Sequence, residues 1–468
     1  MTDTLTALDA TFLELEQLDE GALMSIGGAM VFDPGAQGGG PALDEVRDRT
    51  ADGLLRLPRY SARLSDTKVG GLSWPHWVHD DRFDISRHVH RATLRAPGGD
   101  RQLCDFVGRF FSRPLDRTRP LWEAVVLEGL ADDRWALVQK THHCLVDGVG
   151  SVDVLAALLD HEQRPSGSRP VPPPDEASRQ PWDPLEQHVP QALIQAGAAG
   201  LHVARGGAHA AVHPRETLNR SRGLAELLVR DEIVGAPHSS LNVKIGRSRR
   251  FAVVRSSLAE LKAIGRKLGG SVNDVVLAAC TTGLRELLLS RGEKPPPRGL
   301  RAMVPMNLRQ ASARLALGNK VSSLFVELPV AEPIALLRLE KIAQATRKLK
   351  DSDAPAGVDT FLDLAALAPP VLHATFARSA YATRLFNVTI TNVPGPQYPL
   401  FAFGSRMREV LPFVPLAAEH AVGIAIFSYD GGVTFGISAD SRSAPDLGTL
   451  VEGISEGLEE LASLSVLP

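Results

Sequence analysis

Several features that would point directly to a function class are missing from this sequence. Cysteine is scarce: Cys104, Cys144 and Cys280 are the three among 468 residues. They lie far apart and form no C-x-x-C pair, so they suggest neither a zinc or redox motif nor a disulfide framework. An excess of charge is missing too. The 51 basic and 54 acidic side chains leave a formal net charge of −3, which argues against nucleic acid as a partner, because a dedicated binder needs a basic surface to meet phosphates. No stretch approaches the ~20 apolar residues of a spanning helix, so any membrane contact is expected from the surface. The N-terminal segment MTDTLTALDATFLELEQ is acidic and has no charged-then-apolar leader; the expected location is the reducing cytoplasm. No G-x-S-x-G elbow, Walker A loop or clean G-x-G-x-x-G occurs. That sets aside serine hydrolases of the α/β type and the chemistry of nucleoside triphosphates and dinucleotides. There is no short-period repeat.

What is present is apolar content, 44% of residues, enough for substantial cores. At ~100–200 residues per domain, two or three domains are expected. Residues 4–16 predict a short helix with Leu5, Leu8, Phe12 and Leu15 on one face, and 24–33 a strand. Residues 41–56 predict a helix, 122–130 and 135–142 strands, and the segment after Gly150 another helix. The composition then changes. From residue 164 the chain is rich in proline, which removes backbone donors and fixes φ, so an extended linker is expected. Residues 185–235 are rich in Ala, Gly and His and carry Arg205, Arg215, Arg220, Arg222 and Arg230; helices that cover the junction or dock on a lipid surface are expected there. From about 241 a second folded region predicts a strand at 249–257, two helices, and strands at 299–306, 321–330, 386–393, 421–428 and 432–438. Leu447, Leu450, Val451, Ile454, Leu458 and Leu461 form the apolar stripe of a C-terminal amphipathic helix. The expected architecture is α/β with a mixed sheet and flanking helices in each of two domains, 1–164 and 241–468, joined by 165–240. Domain junctions are common places for ligand pockets.

The sharpest motif is THHCLVDGVGS at 141–151, placed where a strand ends. Such ends hold side chains rigidly while exposing them to a cleft. Two adjacent histidines in extended backbone point to opposite faces, which makes a shared metal a poor reading. An imidazole titrating near ~6.5 suits abstraction of a hydroxyl proton. A structural role for the pair is the plain alternative. Cys144 points away from its neighbouring base on an extended chain, so it is not expected to act as a nucleophile.

The motif H142-H143-C-L-V-D147-G148 resembles the HHxxxDG of the bacterial wax ester synthase/acyl-CoA:diacylglycerol acyltransferase family, one of the CoA-dependent acyltransferases. LDATFLELE (8–16), PLDRTRPLWE (114–123), SVNDVVLAAC (271–280) and TNVPGPQYPL (391–400) resemble further blocks of that family, in the same order along nearly the whole chain. The resemblance implies two chloramphenicol-acetyltransferase-like domains with the active site in a tunnel between them. It implies His143 as general base, His142 as its support, Asp147 as a structural residue held by a salt bridge, and Gly148 as the turn that presents the histidine. Asn273 and Asp274 match a motif that shapes the active site, although Ser271 or Asn273 could equally cap the following helix. Pro120, Leu121 and Trp122 are expected as core or tunnel lining, with Asp116 and Arg117 as a local ion pair. The implied substrates are acyl-CoA and diacylglycerol or a long-chain alcohol, with no metal or other cofactor and with peripheral contact to the inner membrane or lipid inclusions. Two rival functions stay open: acylation of a polyketide-type alcohol or carrier-bound substrate, and a non-catalytic lipid-body protein.

Overall fold

The computed structural model describes residues 5, 7–35, 38–54, 58–65, 75–145, 159–163, 235–307, 321–350 and 385–466. The expected linker and the Arg-bearing segment lie outside these residues, except for 235–240, as do Asp147, Gly148 and, apart from 159–161, the helix expected after Gly150.

Two six-stranded mixed sheets carry the molecule. Along the chain the strands are β1 (Ser25–Phe32), β2 (Ala62–Leu64), β3 (Trp77–His79), β4 (Val89–Thr93), β5 (Trp122–Glu128), β6 (Trp135–His142), β7 (Arg249–Ser257), β8 (Leu300–Asn307), β9 (Val321–Leu328), β10 (Val388–Pro394), β11 (Phe401–Ala402), β12 (Ser405–Phe413), β13 (Val422–Tyr429) and β14 (Gly432–Asp440). The described α-helices are α1 (Ala7–Leu18), α2 (Leu43–Leu54), α3 (Asp100–Phe111), α4 (Leu258–Leu268), α5 (Val272–Ser290), α6 (Ala335–Lys350) and α7 (Leu447–Val466). The first sheet runs β11-β12-β1-β6-β5-β4 and the second β7-β14-β13-β10-β8-β9, while β2 and β3 pair separately. Each large sheet mixes parallel with antiparallel neighbours: β4 lies parallel to β5, and β10 lies parallel to both β8 and β13.

The sheets do not follow the division of the chain at residue 241. β11 and β12, which come late in the sequence, hydrogen-bond into the first sheet beside β1. The early strands are therefore completed by the second half of the chain. β1 is pressed between β12 and β6, and its Gly27-Gly28 pair shows why. Their φ angles are +148° and +159°, a region that residues with a side chain rarely adopt. A Cβ on Gly27 would stand 2.1 Å from the Gln139 carbonyl oxygen, and one on Gly28 2.2 Å from that of Leu411.

Apolar clusters follow the same exchange. One face of the first sheet buries Leu13, Trp122, Trp135, Cys144 and Leu145 together with Leu400, Met407 and Tyr429 from the far end of the chain. The other face packs α3 against Phe251, Leu411 and Phe413. The second sheet has its own core, built on α4, α5, α6 and α7. Polar links close the seam. The buried Arg249 of β7 donates to the Gly21 carbonyl and lies 3.7 Å from Asp440. Burial pulls its guanidinium down to about 10, against the pull of Asp440 in the other direction. Nearer the surface, Arg255 of β7 holds Asp100 of α3 and Glu409 of β12.

Candidate active site

The strand that carries the histidine pair is fixed on both sides. β6 pairs with β1 from Trp135–Phe32 to His142–Ser25 and with β5 through Thr141–Trp122. At its end the His142 N–H donates to the Leu121 carbonyl at 2.9 Å, and the His143 N–H to the Met24 carbonyl at 2.8 Å. A 3₁₀ turn, His143–Leu145, then leaves the sheet. Two residues before His142, Lys140 is fully buried. Its ammonium donates to the Phe110 and Arg113 carbonyls, both at 3.1 Å, and pairs with Glu123 at 3.1 Å. A cation at the C-terminal end of α3 meets the free carbonyls and the negative end of the helix dipole. Burial pulls the Lys140 ammonium below its ordinary range, against the opposing pull of Glu123.

The two imidazoles have different surroundings. His142 is buried, with Nε2 2.6 Å from Glu16 Oε2. Its Nδ1 accepts from the Cys144 N–H at 3.1 Å. An acceptor at Nδ1 places the proton of the neutral ring on Nε2, where it is donated to Glu16. Arg117 lies 3.7 Å from the same carboxylate. Burial pushes the Glu16 carboxyl up, but the hydrogen bond from His142 and the charge on Arg117 outweigh it and hold the group below its usual range.

His143 stacks on Phe12, with ring centroids 3.8 Å apart and planes 21° apart. Its Nδ1 is buried without a hydrogen-bond partner, yet the residue as a whole keeps part of its surface accessible. Protein surrounds the ring closely enough that burial pulls its pKa down to about 4, while its own backbone carbonyl works in the opposite direction. The ring is therefore neutral across the physiological range.

Phe12 and Glu16 stand four residues apart on α1 and so share one face of that helix. Both rings of the pair meet that face. The extended-chain expectation of opposite faces therefore applies only up to His142; the 3₁₀ turn re-aims His143. Cys144 is completely buried, and burial lifts its thiol well above the ordinary range, so it is inert as a nucleophile.

The other expected positions divide clearly. Leu121 is wholly buried, and Pro120 and Trp122 are buried beside it. The Trp122 Nε1 donates to the Tyr60 carbonyl at 2.7 Å, and its ring stacks on His88. These residues form a rigid floor under the end of β6. The expected Asp116–Arg117 pair does not form: Asp116 meets Arg119 at 3.3 Å and Thr118, while Arg117 turns to Glu16. Asp274 is buried and closes a capping box. The Ser271 hydroxyl and N–H donate to one of its oxygens, and the Thr346 hydroxyl donates to the other at 2.7 Å. Ser271, not Asn273, is the cap. Asn273 Oδ1 instead accepts from Asn392 Nδ2 at 3.4 Å, tying α5 to the end of β10. The hydrogen bonds of this pair thus run to Ser271, Thr346 and Asn392 and not to the histidines. Three residues escaped the sequence reading as site residues: Phe12, Glu16 and Lys140. A glutamate and a phenylalanine at helical spacing in the LDATFLELE block were the available signal for two of them.

Comparison with known proteins bears on the family and the fold. The family model described as wax ester synthase/diacylglycerol acyltransferase catalytic domain matches residues 5–276, and that of the C-terminal domain of the same family matches 317–462. A Mycobacterium tuberculosis protein named a probable diacylglycerol O-acyltransferase, tgs1, is 32% identical over 98% of this chain and 96% of its own length. Among solved structures, the wax ester synthase/diacylglycerol acyltransferase of Marinobacter aquaeolei VT8 is similar, with a TM-score of 0.70 and 26% identity over 99% of this chain and all of that one. A starter condensation domain of rhizomide synthetase, crystallised with C8-CoA, shares the fold at a TM-score of 0.60 and 14% identity, over 99% of this chain and 95% of that one.

Proposed function

The chain belongs to the wax ester synthase/diacylglycerol acyltransferase family, and from that premise we propose that it moves a long-chain acyl group from acyl-CoA to the free hydroxyl of diacylglycerol, with His143 as general base. The observation that carries the assignment of the base is the state of that ring: neutral, partly accessible, and lacking a partner on its buried nitrogen.

A proton on Nδ1, beside the residue's own carbonyl, leaves the Nε2 lone pair to meet the acceptor hydroxyl. Nε2 takes the hydroxyl proton as the oxygen attacks the thioester carbonyl. The tetrahedral intermediate collapses, the carbon–sulfur bond breaks, and the imidazolium returns the proton to the CoA sulfur. General acid–base help of this kind contributes ~10²–10⁴-fold. No step passes through a metal or a covalent enzyme intermediate. Glu16 and Arg117 act at one remove by holding His142 and with it the turn that aims His143. The family motif gives Asp147 and Gly148 a structural, supporting role; both lie outside the described residues. Asn273 and Asp274 shape the far wall through α5.

Long-chain alcohols are the natural second acceptor, since they offer the same hydroxyl on an apolar chain; wax esters would be the product. A lipid acceptor also places the enzyme at a membrane or lipid-inclusion surface. Among the described residues no helix is long and apolar enough to cross a membrane, so the contact is peripheral. The test is an acceptor panel, with palmitoyl-CoA as donor and diacylglycerol, hexadecanol and a polyketide-type alcohol as acceptors. Triacylglycerol as the main product supports this reading. Turnover confined to the polyketide alcohol, or to a carrier-bound donor, would replace it.

A further inference from the structure

A cavity of about 670 Å³ opens on the second half of the chain, away from the histidine turn. Its walls come from three segments: α4, the 270–272 turn into α5, and the tip of the β13–β14 hairpin beside Gln397. The rim is rigid. Gln397 donates to the Gly395 carbonyl and the Ser428 hydroxyl and accepts from the Gly431 N–H. The Leu258 N–H, at the first residue of α4, donates to the Gly431 carbonyl at 2.8 Å.

Lys262 and Arg266 line this cavity. They stand four residues apart on α4 and so present both cations on one face. Arg255, Arg291 and Arg406 each hold a carboxylate. Among the described residues, Lys262 and Arg266 hold none, and Arg266 Nε donates only to the Lys262 carbonyl at 3.3 Å. The acids nearest along the lining segments are otherwise engaged. Glu260 takes the Ser256 hydroxyl and its own N–H is capped by Ser257, Asp430 pairs with Arg406, and Asp274 closes the capping box of α5. Because that capping box already occupies the helix end, attraction for an anion falls to the two side chains.

The cavity adjoins the segment that carries Asn273 and Asp274. Ser271 and Val272 in its wall directly precede Asn273, whose side chain is tied to Asn392. Gly431 is two residues beyond Tyr429, which packs in the same apolar cluster as Cys144 and Leu145 of the histidine turn. The two substrates differ sharply in charge: diacylglycerol is neutral, whereas CoA ends in a diphosphate and a 3′-phosphate. Cavities of ~300–1,000 Å³ suit a ligand fragment of that size, and guanidinium and ammonium groups are the side chains that recognise phosphate.

We infer that this cavity binds the phosphorylated adenosine end of the acyl-CoA donor, with Lys262 and Arg266 on its phosphates. The inference rests on the acyl-transfer reading above and adds the place where the donor is recognised. It is tested on the full chain with the Lys262→Ala/Arg266→Ala double variant. Palmitoyl-CoA is compared with S-palmitoyl-pantetheine, which lacks the adenosine and all three phosphates, using diacylglycerol in the same detergent micelles. The ratio of kcat/KM for palmitoyl-CoA to that for palmitoyl-pantetheine should fall about 10- to 100-fold in the variant, through KM, as expected for one or two lost charge-assisted hydrogen bonds. Adenosine 3′,5′-bisphosphate should compete with palmitoyl-CoA in the wild type and weaken by a similar factor in the variant. An unchanged ratio, with both thioesters turned over by the wild type, overturns the cavity assignment and leaves acyl transfer standing. An equal fall with both thioesters overturns it too, because the residues would then act on fold or on the shared acyl-pantetheine arm. Loss of binding to phosphatidylglycerol vesicles with an unchanged ratio would reassign the two cations to a lipid surface. A wild type that turns over neither thioester removes the acyl-transfer reading and this inference with it.

Discussion

The turn at His142–Leu145 and the turn at Ser271–Asp274 each hold a short polar motif at a junction of regular elements, but they satisfy their polar groups differently. At the start of α5 the polar side chains are engaged. Asp274 accepts on both oxygens, Ser271 caps, and Asn273 is tied to Asn392. At the end of β6 one ring is locked between Glu16 and the Cys144 N–H, while its neighbour keeps a buried nitrogen without a partner. A buried polar atom left unsatisfied costs about 1–3 kcal/mol, and native folds contain few of them. On the proposed mechanism His143 is the reactive member of the pair, working through Nε2, while His142 is held by its hydrogen bonds. The saturated turn at α5 holds the architecture around it.

The strongest way to break this contrast is His143→Ala. Loss of a general base should lower kcat by about 10²–10⁴-fold, with the thermal unfolding midpoint close to wild type because only Phe12 loses a stacking partner. Near-wild-type turnover would end the assignment, as would an equal loss explained by unfolding. The pH profile sharpens the same point. The base works unprotonated, and burial sets its pKa to about 4. The acid limb of kcat/KM should therefore fall near that value and not near ~6.5, the usual imidazole range. The sign for stability follows from the same shift. Above the unfolded value neither state binds the proton. As pH drops from there toward 4 the unfolded chain binds it first, so folding weakens over that window. His143→Ala should flatten the dependence.

Glu16 tests whether the locked histidine matters through its partner. Glu16→Ala leaves His142 Nε2 without its acceptor and frees the turn that aims His143. A misplacement of about 1 Å can cost ~10²-fold, and we expect a loss of that order in kcat with little change in KM for acyl-CoA. Glu16→Gln, which keeps a carbonyl acceptor, should recover most of it. An equal loss in both variants would assign Glu16 to the fold through Arg117 and not to positioning.

How much of this the sequence disclosed depended on whether a signal was local. The strands at 122–130 and 135–142, the strand at 249–257 and the C-terminal helix were legible, because their apolar periodicity is strong and lies within one segment. β12 was missed: Arg406, Arg408, Glu409 and Pro412 interrupt its apolar pattern, and a register shift opposite Val31–Phe32 breaks its alternation. Pro412 is tolerated because β11 is two residues long and pairs only with Ser405 and Arg406, so no neighbour on that side needs its missing N–H. The exchange of β11 and β12 into the first sheet was invisible for the same reason, being a pairing between residues nearly 400 positions apart along the chain. At the site, His142 and His143 stood out as a motif. The partners that distinguish them, Glu16 and Phe12, come from a helix more than 120 residues away along the chain, expected only as a helix with Phe12 on its apolar face. Asp274 resembled a site residue by motif, yet its bonds are those of a helix cap.

That last residue supplies the smallest expected effect on turnover and the sharpest contrast with His143. Asp274→Ala removes the acceptor for Ser271 and for the Thr346 hydroxyl at a buried helix start. Loss of such a cap, with a buried donor left less satisfied, should cost about 1–3 kcal/mol of stability, seen as a lower denaturant midpoint at unchanged slope. Thr346 retains a second acceptor in the Ala343 carbonyl, which keeps the cost toward the lower end. Asp274→Asn can satisfy one of the two partners and should fall between alanine and wild type. Turnover per folded molecule should decline less than in His143→Ala or Glu16→Ala, because α5 shifts without touching the histidine turn. If Asp274→Ala instead abolished turnover at full stability, the capped turn would be acting in the chemistry, and the division between an engaged scaffold and an unsatisfied base would fail.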